Sequence, residues 1–421
     1  MTSEIITIGD EITIGQVIDT NSAFIAEELN KIGIGINRIT SVADNKDSIN
    51  RALDNARENA DIVIMTGGLG PTGDDITKNT LAKYFGSTLV LNQVVLDRIK
   101  EFLGSRSMKV TDRNIKQAEL PDNCKIIMNN YGTACGMWFE EKGKIFISLP
   151  GVSYEMKSMI KSDVIPEFKK RFKLPFIIHK TILTNGTAES EMADRLSSWE
   201  SNLPPGIKLA YLPSPGILRL RISGTGNDKS KLEKEINKQV NELYKLISDY
   251  VFGHEDDRIE EITGNLLAKN NLTVAVAESC TGGKISELLT SIPGSSAYFK
   301  GSVVAYSNEI KTKILGVSEN SITVHGAVSE EVVKEMAEKT LKLYNTGFAV
   351  ATSGIAGPSG GTDTKPVGTT WIAVASKNET FARKYSFGEH RGRNILKASF
   401  TALNMLRKLI LTTIEKQAGY N

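Results

Sequence analysis

The chain has 421 residues, more than the roughly 100 to 200 of a typical domain, which predicts two or three domains. It is 40% hydrophobic and 24% charged, with a formal net charge of +2 and interleaved acidic and basic residues. No electrostatic footprint calls for a nucleic acid, and no apolar run approaches the ~20 residues that span a bilayer. We therefore expect small-molecule work, without a nucleic-acid or membrane partner.

The start of the chain and its cysteines indicate the compartment. The N-terminus MTSEIITIGDE lacks the basic segment and apolar stretch of a secretory signal. Cys124, Cys135 and Cys280 are odd in number and show no CxxC spacing, so we interpret them as reduced thiols. Together these features predict a cytoplasmic protein.

In residues 1–170, strand-like and helical patterns alternate, which predicts an α/β domain with parallel strands. A glycine-rich turn follows the strand at 61–66, and its backbone amides suit a phosphate. Nearby carboxylates can hold a hard divalent cation of unknown identity. The turn residues are Gly67, Gly68, Gly70 and Thr72, and the candidate metal ligands are Asp10, Asp44, Asp74 and Asp75. The alternative, that these acids only cap turns and helices, stays open.

Residues 171–252 read as a small α+β unit with a lysine-rich second helix. The polar stretch at 253–257 predicts an exposed linker. From residue 258 to 421 the α/β alternation returns, and it ends in a helix predicted near 390–413. The chain thus divides into 1–170, 171–252 and 258–421.

The third segment contains AESCTGGK at 277–284, where a strand runs into a helix opened by two glycines. Backbone amides at such a junction point toward an anion or oxyanion. A P-loop is excluded, because that motif needs Ser or Thr after the lysine and glycine where Glu278 stands. Further Gly- and Ser-rich loops predict a site at the carboxyl edge of a parallel sheet, although each alone is typical of an ordinary turn.

Six motifs in this order, AESCTGG, PGSS, VVAYSN, GAVSEEV, SGIAGPSGG and KPVGTTW, resemble the CinA (competence/damage-inducible) family over essentially the whole chain. The resemblance implies a molybdopterin-binding-like α/β domain, a small KH-like α+β domain and a C-terminal α/β amidase domain. It implies that the last domain hydrolyses nicotinamide mononucleotide (NMN) to nicotinate mononucleotide and ammonia. It also implies metal-dependent cleavage of ADP-ribose by the first domain, and we expect a homodimer.

The residues of the third segment support amide chemistry with a lysine base, since histidine is scarce there. A desolvated lysine has a lowered pKa and can take the proton from serine. We assign Lys311 as the base and Ser279 as the first choice of nucleophile, with Ser296 as its rival or a relay. Ser279 would lie beside the amides of a turn formed by Thr281, Gly282 and Gly283. The amidase is expected to need no cofactor.

The family resemblance adds substrate contacts. It points to Tyr306 against the nicotinamide ring or ribose, to Thr352 and Ser353 as polar pocket residues, and to Arg393 as a phosphate ligand. By motif, Asp44 and Asp75 match the functional acids of the molybdopterin-binding fold, so they rank above Asp10 and Asp74.

Alternatives remain at this stage. The middle segment has no GxxG loop, so we read it as a spacer or dimer-contact domain and not as an RNA-binding module. In one alternative, only the N-terminal domain or only the amidase domain is active. In another, the chain is a non-catalytic partner in DNA uptake or recombination, which a basic, aromatic-studded face would favour; the sequence shows none.

Overall fold

The structure, a computed structural model, describes residues 1–72, 75–417 and 419 of the chain. They form two compact units. The first contains Met1–Ile178 and Thr225–Glu233, and the second contains His179–Gly224 and the chain from Lys234 onward. Among the described residues, no helix is long and apolar enough to cross a membrane.

The N-terminal α/β domain is built on a mixed sheet of order β2-β1-β3-β8-β7-β6. Its strands are β1 (Thr2–Ile8), β2 (Gly35–Val42), β3 (Ile62–Thr66), β4 (Leu89–Leu91), β5 (Glu119–Pro121), β6 (Lys125–Ile127), β7 (Gly136–Glu141) and β8 (Lys144–Leu149). Its helices are α1 (Asp10–Thr13), α2 (Asn21–Lys31), α3 (Lys46–Asn59), α4 (Thr77–Tyr84), α5 (Gln93–Gly104), α6 (Asp112–Gln117), α7 (Ser153–Met159) and α8 (Ile165–Arg171), with a π-helical turn at Ile160–Val164 before α8.

The expected parallel pairing holds for β2, β1, β3 and β8, whereas β7 pairs antiparallel with both β8 and β6. The physical reason lies in the connection between β7 and β8. It is a tight turn in which Lys142 and Gly143 both have positive φ, 50° and 79°, and such a turn joins neighbouring strands only in opposite directions. The parallel strands still end together, which sets the glycine-rich turn after β3 at the carboxyl edge of the sheet.

The KH-like α+β module consists of β9 (Phe176–Thr184), α9 (Glu189–Ser201), β10 (Ile207–Ser214), β11 (Ile217–Gly226), α10 (Lys229–Ile247) and β12 (Val251–His254), with sheet order β10-β11-β9-β12. The prediction of an exposed linker at 253–257 is wrong for its first half. Gly253 and His254 belong to β12, which pairs with β9, and the Asp257 carboxylate accepts the His254 amide at 2.9 Å. A tight turn, not a flexible connection, therefore leads into the last domain.

The C-terminal α/β domain has the sheet order β14-β13-β15-β16-β17. Its elements are α11 (Ile259–Lys269), β13 (Val274–Glu278), α12 (Lys284–Thr290), β14 (Phe299–Val304), α13 (Asn308–Lys313), α14 (Glu319–His325), α15 (Glu330–Tyr344), β15 (Phe348–Gly354), β16 (Thr369–Ser376), β17 (Thr380–Ser386) and α16 (Arg391–Gln417), with a 3₁₀ turn at Ser295–Ala297. Strands β14, β13 and β15 are parallel, so their carboxyl ends meet at one edge.

Two apolar layers cover this sheet, and the KH-like module joins one of them. Helices α11, α12 and α16 pack on one face, and α15 packs on the other. Leu183 and Phe252 of the KH-like module are part of the first layer. Asn404 of α16 also donates to the Asn185 side chain at 3.0 Å. The KH-like module and the C-terminal domain therefore share a core.

Candidate functional site

Ser279 lies at the turn between β13 and α12, at the carboxyl edge of the parallel strands. Its amide donates to the Thr352 carbonyl at the end of β15, at 3.0 Å. The strand before it is entirely buried, because its alternating Val and Ala side chains face the two apolar layers. The sheet thus fixes the backbone of Ser279, while the side chain sits at the sheet edge with 8% exposure.

Glu278 holds the turn in shape. It is fully buried, and its two carboxylate oxygens accept four hydrogen bonds from the turn and the first residues of α12. Oε2 accepts the amides of Gly283 and Ile285, both at 3.0 Å, and Oε1 accepts the amide and hydroxyl of Ser286 at 2.8 and 2.6 Å. An acid at a helix N-terminus satisfies unpaired amides and complements the helix dipole. The protein itself therefore supplies the anion that the sequence led us to expect at this junction.

Lys311 and Ser279, 32 residues apart in the chain, are in direct contact. Lys311 Nζ donates to Ser279 Oγ at 3.1 Å and to the Ala305 carbonyl at 2.9 Å. Helix α13, capped by the Ser307 hydroxyl, carries the lysine, whose exposure is only 2%. Burial lowers the pKa of Lys311, because an ammonium loses hydration there. A buried amine beside a serine hydroxyl can exchange a proton with it.

The structure does not bring Ser296, the rival nucleophile, to Lys311. Its side chain is exposed in the 3₁₀ turn, and no hydrogen bond to it is found among the described residues. Cys280, next to Ser279, is buried, and burial raises its pKa to about 12, which disfavours a thiolate. Of the candidate nucleophiles, Ser279 alone has the lysine as a partner within the described chain.

The other small polar residues of the site already have protein partners. The hydroxyls of Thr281 and Thr352 bond to each other at 2.8 Å, and the Ser353 hydroxyl donates to the Ala327 carbonyl at 2.6 Å. The Gly282 amide donates to the Ser279 carbonyl at 3.1 Å, and the Gly283 amide is held by the acid described above. In the described chain the Thr281 amide has no acceptor. The Thr281–Thr352 contact joins the turn to β15, and the part of these residues in substrate binding stays a prediction.

Tyr306 contacts an arginine that the sequence did not single out. The Tyr306 ring follows β14 and is 59% exposed, and its hydroxyl accepts Arg391 Nη2 at 2.9 Å. Arg391 Nη1 donates to the Gly357 carbonyl at 2.8 Å, so two hydrogen bonds orient the guanidinium. Arg393, the predicted phosphate ligand, is exposed and makes no side-chain contact of this kind among the described residues. The cation next to Tyr306 is therefore Arg391.

The N-terminal glycine turn folds tightly against the ends of the strands. Gly67 has φ 119°, and a Cβ there would lie 2.0 Å from the Ile8 carbonyl oxygen, so only glycine fits. A Cβ at Gly68 would lie 2.1 Å from Thr77 Oγ1 and 3.1 Å from Asp44 Oδ1. The turn borders a cavity of about 290 Å³. It thus leaves polar atoms beside a space of ligand size.

The candidate acids of this cavity differ in what they contact. Asp75 accepts the amides of Gly70 and Thr72 at 2.8 and 2.9 Å and also the Thr72 hydroxyl, so it shapes the turn, as the alternative reading allowed. Asp10 Oδ1 accepts the Asp44 amide at 3.1 Å. Asp74 lies outside the described residues.

Asp44 is the acid with an unused oxygen. Its Oδ1 is buried without a hydrogen-bond partner among the described residues, as is the hydroxyl oxygen of Thr77, which the sequence reading missed. Burial raises the pKa of Asp44, and the nearby carboxylates of Asp10, Glu11 and Asp75 add to the effect, against a hydrogen bond from the Asp10 backbone. A cation next to Oδ1 would offset both the loss of hydration and the repulsion from the neighbouring carboxylates.

A divalent cation fits this cavity only if a bound substrate supplies some of its ligands. Within the described residues, no three His, Cys, Asp or Glu side chains form a metal site. Mg²⁺ in nucleotide enzymes is often held by one or two carboxylates, with substrate phosphates and water as the other ligands. The unpartnered Oδ1 of Asp44 suits that arrangement. We therefore regard Asp44 as the residue that would hold a cation delivered with a diphosphate.

Three family models match the chain in order. Residues 4–170 match "Probable molybdopterin binding domain", residues 179–253 match "Damage-inducible protein CinA KH domain", and residues 256–410 match "CinA C-terminal domain". A CinA-like protein of Flavobacterium psychrophilum is 47% identical over 99% of this chain and 100% of its own length. The chain belongs to the CinA family.

A second relative and a solved structure are also similar to the chain. A CinA-like protein of Cytophaga hutchinsonii is 46% identical over 96% of this chain and 97% of its own length. The solved structure of the competence/damage inducible protein CihA from Agrobacterium tumefaciens is 39% identical, with 36% of this chain and 94% of that one covered and a TM-score of 0.35. The three-domain layout of the CinA family, with molybdopterin-binding-like, KH and C-terminal domains, is thus the layout of this chain.

Proposed function

We propose that the C-terminal domain, predicted at 258–421, is an amidase that hydrolyses NMN to nicotinate mononucleotide and ammonia. The observation that supports this proposal most is the 3.1 Å contact between Lys311 Nζ and Ser279 Oγ, with the lysine buried. A serine needs a base to attack an amide, and a desolvated lysine is one of the few groups besides histidine that can serve. No metal is needed for this chemistry.

The proposed reaction runs through an acyl-enzyme. The neutral amine of Lys311 accepts the proton from Ser279 Oγ while that oxygen attacks the carboxamide carbon of NMN. The Thr281 amide is available to the oxyanion that develops, since it has no acceptor among the described residues. The lysine then gives its proton to the departing nitrogen, which leaves as ammonia. Water hydrolyses the ester by the same proton relay in reverse and restores Ser279.

The substrate would lie between the serine and the exposed Tyr306. The tyrosine ring is accessible for the nicotinamide or ribose, as the family resemblance implies. Arg391, already bonded to the Tyr306 hydroxyl, offers a planar fork for the 5′-phosphate, and Arg393 is the alternative predicted from the sequence. The phosphate contact lies far from the amide and would bind ground and transition states about equally.

The test is ammonia release from NMN by the full chain. Lys311→Ala should lower kcat at least ~100-fold, within the range for loss of a general base, with little change in NMN affinity. The matched control is Lys313→Ala, which removes an exposed lysine of the same helix whose only ion pair is with Glu309 among the described residues. Wild-type activity in Lys311→Ala, or no ammonia from the folded wild type, would refute the proposal.

We further propose that the N-terminal domain hydrolyses ADP-ribose to AMP and ribose 5-phosphate with a divalent cation. In support, the glycine turn borders a cavity in which Asp44 keeps an unpartnered oxygen. When bound, the cation would neutralise the diphosphate. The chain's own part is to hold the phosphates at the turn amides and the cation at Asp44.

Asp44→Asn tests this second activity, with AMP formation as the assay. We expect a large loss of AMP formation, while ammonia release from NMN is unchanged, because the two sites use no common residue. Asp47→Asn, in the exposed first turn of α3, is the matched control. AMP formation that is independent of added metal, or that survives Asp44→Asn undiminished, would exclude the proposed role.

A further inference from the structure

The second compact unit contains a cavity remote from Ser279 and Lys311. Its volume is about 550 Å³, and it lies between the KH-like module and the face formed by β17 and α16. Ligand pockets of 300 to 1,000 Å³ occur preferentially where two modules meet. No residue of the amidase site lines it. Its chemistry is therefore a separate question.

Two basic side chains line this cavity, and a third is the chain neighbour of one of them. Arg383 of β17 and Lys408 of α16 line it, and Arg407 is next to Lys408. Lys408 Nζ donates to the Asp249 backbone carbonyl at 2.7 Å, and Arg407 donates to the Val251 carbonyl and the Asn404 side-chain oxygen, both at 3.1 Å. Among the described residues, none of the three cations forms an ion pair.

The three cations also act on one another. Burial lowers the pKa of Lys408, the charges of Arg407 and Arg383 lower it further, and Asp249 opposes them. Positive charges that lie close together repel one another, and this repulsion costs free energy. A bound anion would reduce that cost. Phosphate is the anion for which an arginine fork and a lysine are the usual partners.

Three acids also line the cavity: Glu191, Asp249 and Glu379. Asp249 acts on Lys408 through its charge, and the other two have partners of their own. Glu379 pairs with Lys416 at 3.2 Å, and Glu191 accepts the Thr187 hydroxyl at 3.0 Å. A carboxylate with spare lone pairs is a natural acceptor for the hydroxyls of a sugar. The cavity thus offers Arg383 and Lys408 as cations for a phosphate. It also offers the Glu191 carboxylate as an acceptor for hydroxyl groups.

An aromatic wall completes the cavity. Phe381, Arg383 and Tyr385 alternate along β17 and share one face, and Phe381 is 53% exposed. The Arg383 guanidinium lies 5.5 Å from the centre of the Tyr385 ring. The exposed ring of Phe381 is a surface on which a planar base can stack.

We propose that this cavity binds a nucleoside monophosphate, with the phosphate at Arg383 and Lys408 and the base against Phe381. The site is distinct from both proposed enzymatic sites and does not depend on their activities. Lys384, the neighbour of Arg383 on the opposite face of β17, does not line the cavity and gives a matched control.

The experiment uses the full chain with AMP and, separately, with inorganic phosphate. Hydrogen–deuterium exchange is followed in the peptides covering 380–386 and 404–412, which separates this site from nucleotide binding at the N-terminal turn. AMP should protect both peptides, and inorganic phosphate should need at least about fivefold higher concentration, because it lacks the stacked base. Arg383→Gln should weaken the AMP effect at least about tenfold, and Lys384→Gln should leave it unchanged.

Phe381→Ala completes the set, since it should remove the preference for AMP over phosphate and leave phosphate binding intact. Absence of protection in these peptides at millimolar AMP would overturn the proposal. So would equal protection by AMP and phosphate in the wild type, or an AMP effect that Arg383→Gln does not weaken.

Discussion

Glu278→Gln should destabilise the second compact unit strongly. The glutamine oxygen can keep two of the four hydrogen bonds, to Gly283 and Ile285, without their charge. Its amide nitrogen would then face the Ser286 amide, and that partly buried donor would lose its partner. Loss of charge assistance on two bonds and one unsatisfied, partly buried donor together cost about 2–4 kcal/mol. For a unit of this size, that lowers the Tm by roughly 5–15 °C.

Differential scanning calorimetry of the full chain measures this effect. The control is Glu287→Gln in the same helix, whose exposed carboxylate pairs only with Lys284 among the described residues. An exposed pair is worth less than about 1 kcal/mol, so the Tm of this variant should change by no more than about 4 °C. Equal Tm values for the two variants would refute the argument that Glu278 ties the turn to α12.

Three further outcomes are expected. Because burial lowers the pKa of Lys311, and only the neutral amine is a base, kcat for ammonia release should rise with pH along a limb centred below the pKa of an exposed lysine; a limb centred at the exposed value would contradict this. Arg391→Ala should raise KM for NMN more than Arg393→Ala does, and the reverse order in steady-state kinetics would restore the sequence-based assignment. In titrations of ADP-ribose hydrolysis with metal, Asp44→Asn should raise the half-maximal metal concentration, whereas Asp75→Asn should raise KM for ADP-ribose; a metal effect confined to Asp75→Asn would reverse their roles.

The pairing of Lys311 with Ser279 could be predicted because the sequence offers few bases and places both residues near strand ends. In a parallel sheet such ends meet at one edge, whatever their distance along the chain. The arginine could not be chosen in the same way. Residues two apart in a helix point about 200° apart, so Arg391 and Arg393 face different sides of α16. Only the position of that helix against Tyr306 decides between them.

Glu278 was visible in the sequence only as a mismatch to a phosphate-binding loop. Its function depends on how the chain folds back, because the amides that donate hydrogen bonds to its carboxylate lie five to eight residues later. A buried acid directly before a glycine turn and a helix is the signal that could have revealed it. Likewise, the unused oxygen of Asp44 and the engaged oxygens of Asp75 cannot be distinguished by residue type, because both are aspartates beside the same turn.

Helix α16 belongs to the C-terminal domain but also packs against the KH-like module on the other side of the domain boundary. At 1.5 Å per residue its 27 residues span about 40 Å. Its first residue bonds to Tyr306, and Asn404 and Arg407 hold the KH-like module through Asn185 and Val251. A protease that cuts the turn at 255–258 would therefore leave two fragments that migrate together in native chromatography and separate only in denaturant. The KH-like module and the C-terminal domain are therefore held together by side-chain packing and hydrogen bonds, and not only by the peptide bond between them.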